Sequence, residues 1–263
     1  NSDSVTVAVI DSGIVPNHLD LKDNLLQGAD FVGGTVTDDP SNYNITDYDP
    51  TDEATTSSHG THVAGIIGAV SNNNLGVAGV NWSTNILPVR VLGPNGGTVW
   101  DGLEGIYYSI DQGAEVINLS LGHSGYIEAE HTAIKDAYNS GIVIVAAAGN
   151  GGSDGIGDYG MLYPAGYEET IAVGAIDSSK SVTGYSNYGP KLDIVAPGGS
   201  SQNMILSTCG YYDGSDTVPT YEYMQGTSMA APYVSGVAAL LIENGVNPSS
   251  VRDRLTSTAV DSG

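Results

Sequence analysis

From its amino terminus the chain alternates short apolar runs with stretches of helical period. Residues 5–10, VTVAVI, are β-branched and nearly all apolar, the pattern of a strand buried on both faces, as in a parallel sheet. Similar runs recur at 86–92, 116–119, 142–148 and 170–175, and the stretches 60–70, 99–112 and 128–139 between them space their apolar residues as helices do. Strand, helix, strand alternation at this spacing predicts right-handed crossovers and an α/β fold, a mostly parallel twisted sheet with helices on both faces. After residue 175 the chain loosens into Gly- and Pro-containing turns, and helical period returns at 227–243 and 247–257. No linker, repeat or low-complexity tract divides it, so one domain over 1–263 is expected. The best apolar run, 141–149, is far short of the roughly 18 residues a membrane span needs.

Charge narrows the partners. Against 30 Asp and Glu stand 7 Lys and Arg, a formal net charge of −23. Seven scattered cations cannot build the basic stripe that neutralises phosphates, so nucleic acid is excluded and an anionic membrane surface is disfavoured. The single cysteine, Cys209, rules out an internal disulfide framework and a thiolate metal cluster. No basic segment followed by an apolar one opens the chain, so a secretion signal is either removed or absent from it. Residues 37–53 carry Asp38, Asp39, Asp47, Asp49, Asp52 and Glu53 with no cation. The plain reading is a solvated acidic loop; the sharper one is a calcium site, since hard cations want several oxygens from one flexible loop.

Three strings carry candidate chemistry: DSGI from Asp11, HGTHVAG from His59 and GTSMAAP from Gly226. Singly they are common structural features. Together they supply an acid, a base and a hydroxyl in the order Asp, His, Ser, one of the known orders for a catalytic triad. Further segments lie between and beyond them: INLSLG at 117–122, AAAGN at 146–150, YPAGY from Tyr163 and LDIVAPG from Leu192. With these, the chain resembles the subtilisin-type serine proteases of the subtilase family over nearly its whole length. Ser228 is a weak nucleophile until a base takes its proton. His59 is the matching base, and Asp11, at the end of a buried strand, would hold its tautomer and stabilise its imidazolium. Ser228 lies where a helix begins, so its backbone N–H faces a developing oxyanion.

The resemblance implies more. Asn150 would donate its side-chain amide to the oxyanion. Ser120, Leu121 and Gly122 would form one edge for an extended substrate strand, Gly96 and Gly97 the other, and Ala147, Ala148 and Gly149 a wall of the first pocket. Leu162 stands where subtilisins often carry glycine at that pocket's floor, which predicts a shorter pocket and a shift from Phe or Tyr toward Leu, Met or Ala. The stretch VSNNNLGV at 70–77 resembles the thermitase form of a family calcium loop, with Asp20 and Asn73 as side-chain ligands and Val70, Leu75 and Val77 as carbonyl ligands. The family's further ligand near the N-terminus has no counterpart, because ten residues precede Asp11, and the chain stops before the closing strand many subtilases have. Structural calcium, protein or peptide substrates, a propeptide or protein inhibitor as partner, a monomer and an extracellular setting follow as expectations. The alternative is a catalytically silent peptide-binding or calcium-dependent surface domain of the same fold. His62, three residues after His59, reads as a packing residue; His18, His123 and His131 read as surface or loop positions, and Cys209 as a small buried side chain.

Overall fold

The computed structural model describes residues 4–34, 40–152 and 161–261. Seven parallel strands form the central sheet: β1 (Thr6–Asp11), β2 (Ala29–Asp30), β3 (Asn85–Arg90), β4 (Val116–Leu119), β5 (Val143–Ala147), β6 (Thr170–Ile176) and β7 (Ile194–Pro197). Their spatial order is β2-β3-β1-β4-β5-β6-β7. Five helices cover it: α1 (His59–Gly68), α2 (Val99–Asp111), α3 (Glu128–Asn139), α4 (Thr227–Glu243) and α5 (Val251–Thr258).

The side-chain alternation of β1 shows why helices lie on both faces. Val7 and Val9 pack into one core with Val63 and Ile67 of α1 and Met229 and Val234 of α4. Ala8 and Ile10 point the other way, into a second core with Leu103 and Ile106 of α2 and Ile134 of α3. Successive strand residues face opposite sides, so an all-apolar strand needs two apolar layers. Each fully buried Val, Leu or Ile contributes about 1.5–3 kcal/mol by leaving water.

Several expected boundaries move. The run at 86–92 becomes a strand ending at Arg90, because Val91 and Leu92 turn to donate their backbone N–H groups to the Asp11 carbonyl. The helix expected over 247–257 starts with a 3₁₀ turn at Pro248–Ser250 and becomes α-helical from Val251; Asn247 caps that turn by accepting from Ser249 N at 3.0 Å. The loose region after 175 holds the edge strand β7 and an antiparallel hairpin of β8 (Ile205–Tyr212) and β9 (Thr217–Met224). Asp213 closes the hairpin turn, its Oδ1 accepting from Ser215 N and Asp216 N. The hairpin docks on α1, where Ser207 Oγ donates to His62 O and Thr208 Oγ1 to Thr61 O, each at 2.8 Å. Among the described residues no helix is long and apolar enough to cross a membrane.

Candidate active site

Asp11 is the last residue of β1 and is fully buried. Its Oδ1 accepts from His59 Nδ1 at 2.7 Å and from Ser12 N at 2.7 Å. Its Oδ2 is buried with no hydrogen-bond partner among the described residues. The imidazole and one backbone N–H thus share a single oxygen of this buried carboxylate. His59 opens α1, and the helix can come this close because Gly60 lies on Gly13: a Cβ at Gly60 would stand 2.3 Å from the Gly13 carbonyl oxygen. Burial lowers the His59 pKa, but the charge and hydrogen bond of Asp11, with the charge of Asp52, reverse that and leave it above the ordinary value.

Ser228 is the second residue of α4, whose interior contains Pro232. A proline removes the N–H that would bond the carbonyl four residues back, here that of Ser228. Ser120 Oγ takes its place, donating to Ser228 O at 2.8 Å. Ser120 is held in turn by Asn118 Nδ2 at 3.0 Å, and Asn118 Oδ1 accepts from Ser235 Oγ at 2.8 Å. Ser228 Oγ itself donates to Ser120 O at 3.2 Å. Because Val9 pairs with Asn118 across β1 and β4, Asp11 and Ser120 reach the same carboxyl edge of the sheet, and the nucleophile candidate is tied to the edge that holds the acid.

The third element is the turn after β5. Asn150 Oδ1 accepts from Thr227 N at 2.9 Å and from Thr227 Oγ1 at 3.0 Å. That fixes the amide with Nδ2 turned away from Thr227, beside the first turn of α4. Asn187 braces the same turn: its Nδ2 donates to Ala148 O at 3.0 Å and its Oδ1 accepts from Gly151 N at 2.8 Å. Gly149, at φ 107°, adopts a conformation that favours glycine. Thr227, Asn187 and Ser12 went unassigned in the sequence, and Asp52 was read there only as part of the acidic loop; Thr227 and Ser12 lie inside the diagnostic strings, whereas Asn187 carries no local signal.

Leu162 sits between two of the expected substrate-site residues. Cβ atoms built on Gly149 and Gly122 would lie 2.9 Å and 3.3 Å from Leu162 Cδ1, so the isobutyl group spans from one segment to the other. The chain beyond Gly122 pairs with the same stretch, His123 and Tyr163 exchanging both backbone bonds. Gly96 and Gly97 stand apart, in a tight turn closed by reciprocal bonds between Gly93 and Gly96, with Gly97 against the Val91 carbonyl.

The expected calcium residues also meet. Asp20 is fully buried; Oδ1 accepts from Asn73 Nδ2 at 2.5 Å, and Oδ2 from Val77 N at 2.9 Å and Tyr221 Oη at 3.1 Å. Asn73 Oδ1 accepts from Leu75 N at 3.0 Å. One carboxylate, one amide and the loop carbonyls suit a hard cation, provided the Asn73 amide turns over to present oxygen beside Asp20. The acidic stretch 37–53 is different. Asp38 and Asp39 lie outside the described residues; Glu53 pairs with Arg90, together with Asp30, and Asp52 accepts from Ser12 and Ala54. No group of three or more His, Cys, Asp or Glu suited to a metal occurs among the described residues.

Of the other histidines, His62 is buried as expected, sharing its Nε2–H between the Ile205 and Glu222 carbonyls at 3.1 Å each. His18 is not a surface residue. It is 1% exposed, with Nε2 donating to Thr220 O, Nδ1 accepting from Asp20 N, and its ring edge-on to Tyr221 at 5.0 Å. The hairpin, unforeseen in the sequence, is what covers it.

Residues 2–263 match the model of the subtilase family. The chain belongs to the subtilase family. It is 44% identical over 254 residues to a thermophilic serine proteinase of Bacillus sp. (strain AK1), covering 96% of this chain and 56% of that protein. It is 40% identical to thermitase of Thermoactinomyces vulgaris, covering 96% of this chain and 80% of thermitase. Among solved structures, a protease from Pseudoalteromonas arctica PAMC 21717 superposes with a TM-score of 0.85 at 36% identity, over 98% of this chain and 84% of that one. The fold is therefore subtilisin-like, and by family this subtilase is a serine peptidase, a hydrolase of peptide bonds.

Proposed function

We propose that this subtilase is an endopeptidase that cleaves protein or peptide substrates through Ser228, His59 and Asp11 by way of an acyl-enzyme. The observation that supports it most directly is the 2.7 Å contact of His59 Nδ1 with the buried carboxylate of Asp11, on the sheet edge to which Ser228 is tied through Ser120. Ser228 Oγ attacks the scissile carbonyl carbon while its proton passes to His59 Nε2. The Nδ1–H bond to Asp11 holds the ring in the tautomer that leaves Nε2 free to accept. The oxyanion is met by the Ser228 backbone N–H, in a first helical turn where N–H groups have no intrahelical acceptor, and by Asn150 Nδ2. The tetrahedral adduct collapses, the C–N bond breaks, and His59 returns the proton to the departing amine. Water then repeats the sequence on the ester, freeing the acid product and Ser228. Substrate lies extended along Ser120, Leu121 and Gly122, with Gly96 and Gly97 opposite and Ala147, Ala148 and Gly149 walling the first pocket.

Leu162 sets the depth of that pocket, since its side chain occupies the space between Gly122 and Gly149. Leu, Met or Ala is accepted ahead of Phe and Tyr. Cleavage of matched peptides differing only at that position checks this: Leu162→Gly should gain Phe cleavage, and a wild-type enzyme that prefers Phe refutes the assignment.

Structural calcium would be held by Asp20, Asn73 and the carbonyls of Val70, Leu75 and Val77, where it would tie the loop after α1 to the chain before β2. The activity is assigned outside the cell, where such a site fills at ambient calcium, with a propeptide or protein inhibitor as the natural partner of the substrate edges and a monomer as the working form.

The deciding experiment is intact mass after treatment with phenylmethylsulfonyl fluoride, with Ser228→Ala alongside. One sulfonyl adduct on the parent and none on the variant supports an assembled triad. A folded parent that takes no adduct transfers the lead to a silent peptide-binding domain.

A further inference from the structure

Against the turn after Asp11 packs a second buried carboxylate that the mechanism above does not use. Asp52 is 2% exposed. Its Oδ2 accepts from Ser12 Oγ at 2.5 Å and its Oδ1 from Ala54 N at 2.8 Å. Its backbone is stitched to the same turn, Asp52 N donating to Ile14 O and Ile14 N to Pro50 O, each at 2.8 Å. Ser12 is the hub between this carboxylate and the catalytic pair. Its N–H donates to Asp11 Oδ1 at 2.7 Å, and its Oγ accepts from Gly60 N, in the first turn of α1, at 2.9 Å. A continuous set of short bonds thus runs from Asp52 through Ser12 to both Asp11 and the residue after His59.

A buried carboxylate is costly unless its charge is used or paired. Arg90 of β3 is the cation nearest in role, but its guanidinium is engaged by Asp30 of β2 at 2.6 Å and Glu53 at 2.8 Å. Asp52 therefore has no ion pair of its own among the described residues and lies in the field of Asp11 of β1, His59 of α1 and Arg90 of β3, with Tyr212 of β8 joined to the adjoining Ala54 by backbone alone. Burial raises the Asp52 pKa, opposed by the Ser12 and Ala54 bonds and by Arg90 and reinforced by Asp11.

We propose that Asp52 is a positioning residue of the catalytic pair: through Ser12 it holds Asp11 and the first turn of α1 in place, and its charge supports the imidazolium of His59. Ser12 fixes its hydroxyl hydrogen toward Asp52, which leaves the Ser12 oxygen lone pairs to receive Gly60 N–H. Without the acceptor at Asp52 the hydroxyl is free to rotate and the brace on α1 is lost. This inference rests on the assignment of Asp11 and His59 as the acid and base.

The test is the pH dependence of kcat and kcat/KM for the full chain and its Asp52→Asn, Ser12→Ala and Ser12→Thr variants on one peptide amide. Asp52→Asn should lower kcat about tenfold, as small displacements of catalytic groups do, with KM little changed. The acid limb should move to lower pH, because less negative charge faces His59. Ser12→Ala should lose a similar factor, and Ser12→Thr, which keeps the hydroxyl, should restore it. A folded Asp52→Asn enzyme with wild-type kcat and an unmoved acid limb overturns the proposal. Should that variant fail to fold, a folded Ser12→Ala enzyme with wild-type kcat overturns it equally. A wild-type chain that hydrolyses nothing and takes no sulfonyl adduct would instead refute the catalytic reading beneath it.

Discussion

Asp11 and Asp20 are both fully buried carboxylates, and the chain treats them in opposite ways. Asp11 receives two donors on one oxygen and leaves the other without a partner among the described residues. Asp20 receives three donors spread over both oxygens, from Asn73, Val77 and Tyr221. Hydrogen bonds to the charged form spend that charge on holding structure, whereas an under-satisfied oxygen keeps it available for a neighbour that becomes positive. The neighbour of Asp11 is an imidazole with a raised pKa; the neighbours of Asp20 are neutral donors that clasp a loop and a hairpin together. The donors on Asp11 include a ring that can become positive, whereas the three on Asp20 stay neutral.

The largest effect that separates them is on rate. Asp11→Asn keeps the shape but lets the imidazole adopt the wrong tautomer, and kcat should fall by about four orders of magnitude while the melting temperature stays close to wild type. Asp20→Asn should do the reverse. It removes a charge that three donors point at, leaving one or more unpaired at about 1–3 kcal/mol each, with kcat unchanged below the melting transition. For a chain of this size each kcal/mol is worth roughly 2–4 °C, so calorimetry and steady-state kinetics on the two variants form a crossed pair. Equal loss of rate in both would break the comparison.

How far each carboxylate could be read from the sequence follows the same division. Asp11 was legible as a candidate because the proposed role needs only local context: an apolar strand before it, DSGI around it, and two other strings in a known order. The sheet was legible because strands such as VTVAVI bury both faces and show it in every residue. Asp20 was visible only through resemblance, and its third donor was not visible at all. Tyr221 lies on β9, in a region whose Gly and Pro content hid a hairpin, although its Asp-Gly turn and the alternation along Thr217–Met224 were the available signals. His18 lies in a loop as expected, but its burial was not legible for the same reason: Thr220 and Tyr221, which cover it, come from about 200 residues away, and no local pattern announces such a contact. Ser12 and Asp52 were hidden by a different cause, since a Ser beside a candidate acid and an Asp in an acidic loop each have an ordinary explanation until they are seen bonded to each other.

A sharper test uses His62, which links α1 to the hairpin that carries Tyr221. Burial pushes its pKa down to about 4, against the opposing bonds to Glu222 and Ile205 carbonyls and with a further push from His59. Between the unfolded value near 6.5 and that folded value, the unfolded chain binds a proton that the folded chain does not. Stability therefore rises with pH across this window and falls on acidification from about 6.5 toward 4, by about 3 kcal/mol if this site alone is counted. Denaturant unfolding at several pH values measures the slope. His62→Gln, which offers an amide N–H to the same carbonyls and does not titrate, should flatten it. An unchanged slope in that variant would assign the acid sensitivity to other groups and detach the hairpin from it.

The smallest effect concerns the hydroxyl of Tyr221. Burial, with the charge and hydrogen bond of Asp20, pushes its pKa up to about 12, so it remains a donor wherever the protein is folded. Its ring also closes over Gly76, whose added Cβ would fall 1.9 Å from Tyr221 Cε1. Tyr221→Phe keeps that packing and removes only the bond to Asp20, so the expected loss is about 1.5 kcal/mol in the presence of a chelator, the lower end for a bond to a charged acceptor. With calcium added, a cation beside Asp20 would supply the positive charge the hydroxyl had supplied in part, and the penalty should shrink. The melting difference between wild type and Tyr221→Phe, measured with and without calcium, reads this directly. A penalty identical in both conditions would mean that hydroxyl and cation do not share the carboxylate, and that the Asp20 clasp holds by the chain's own donors alone.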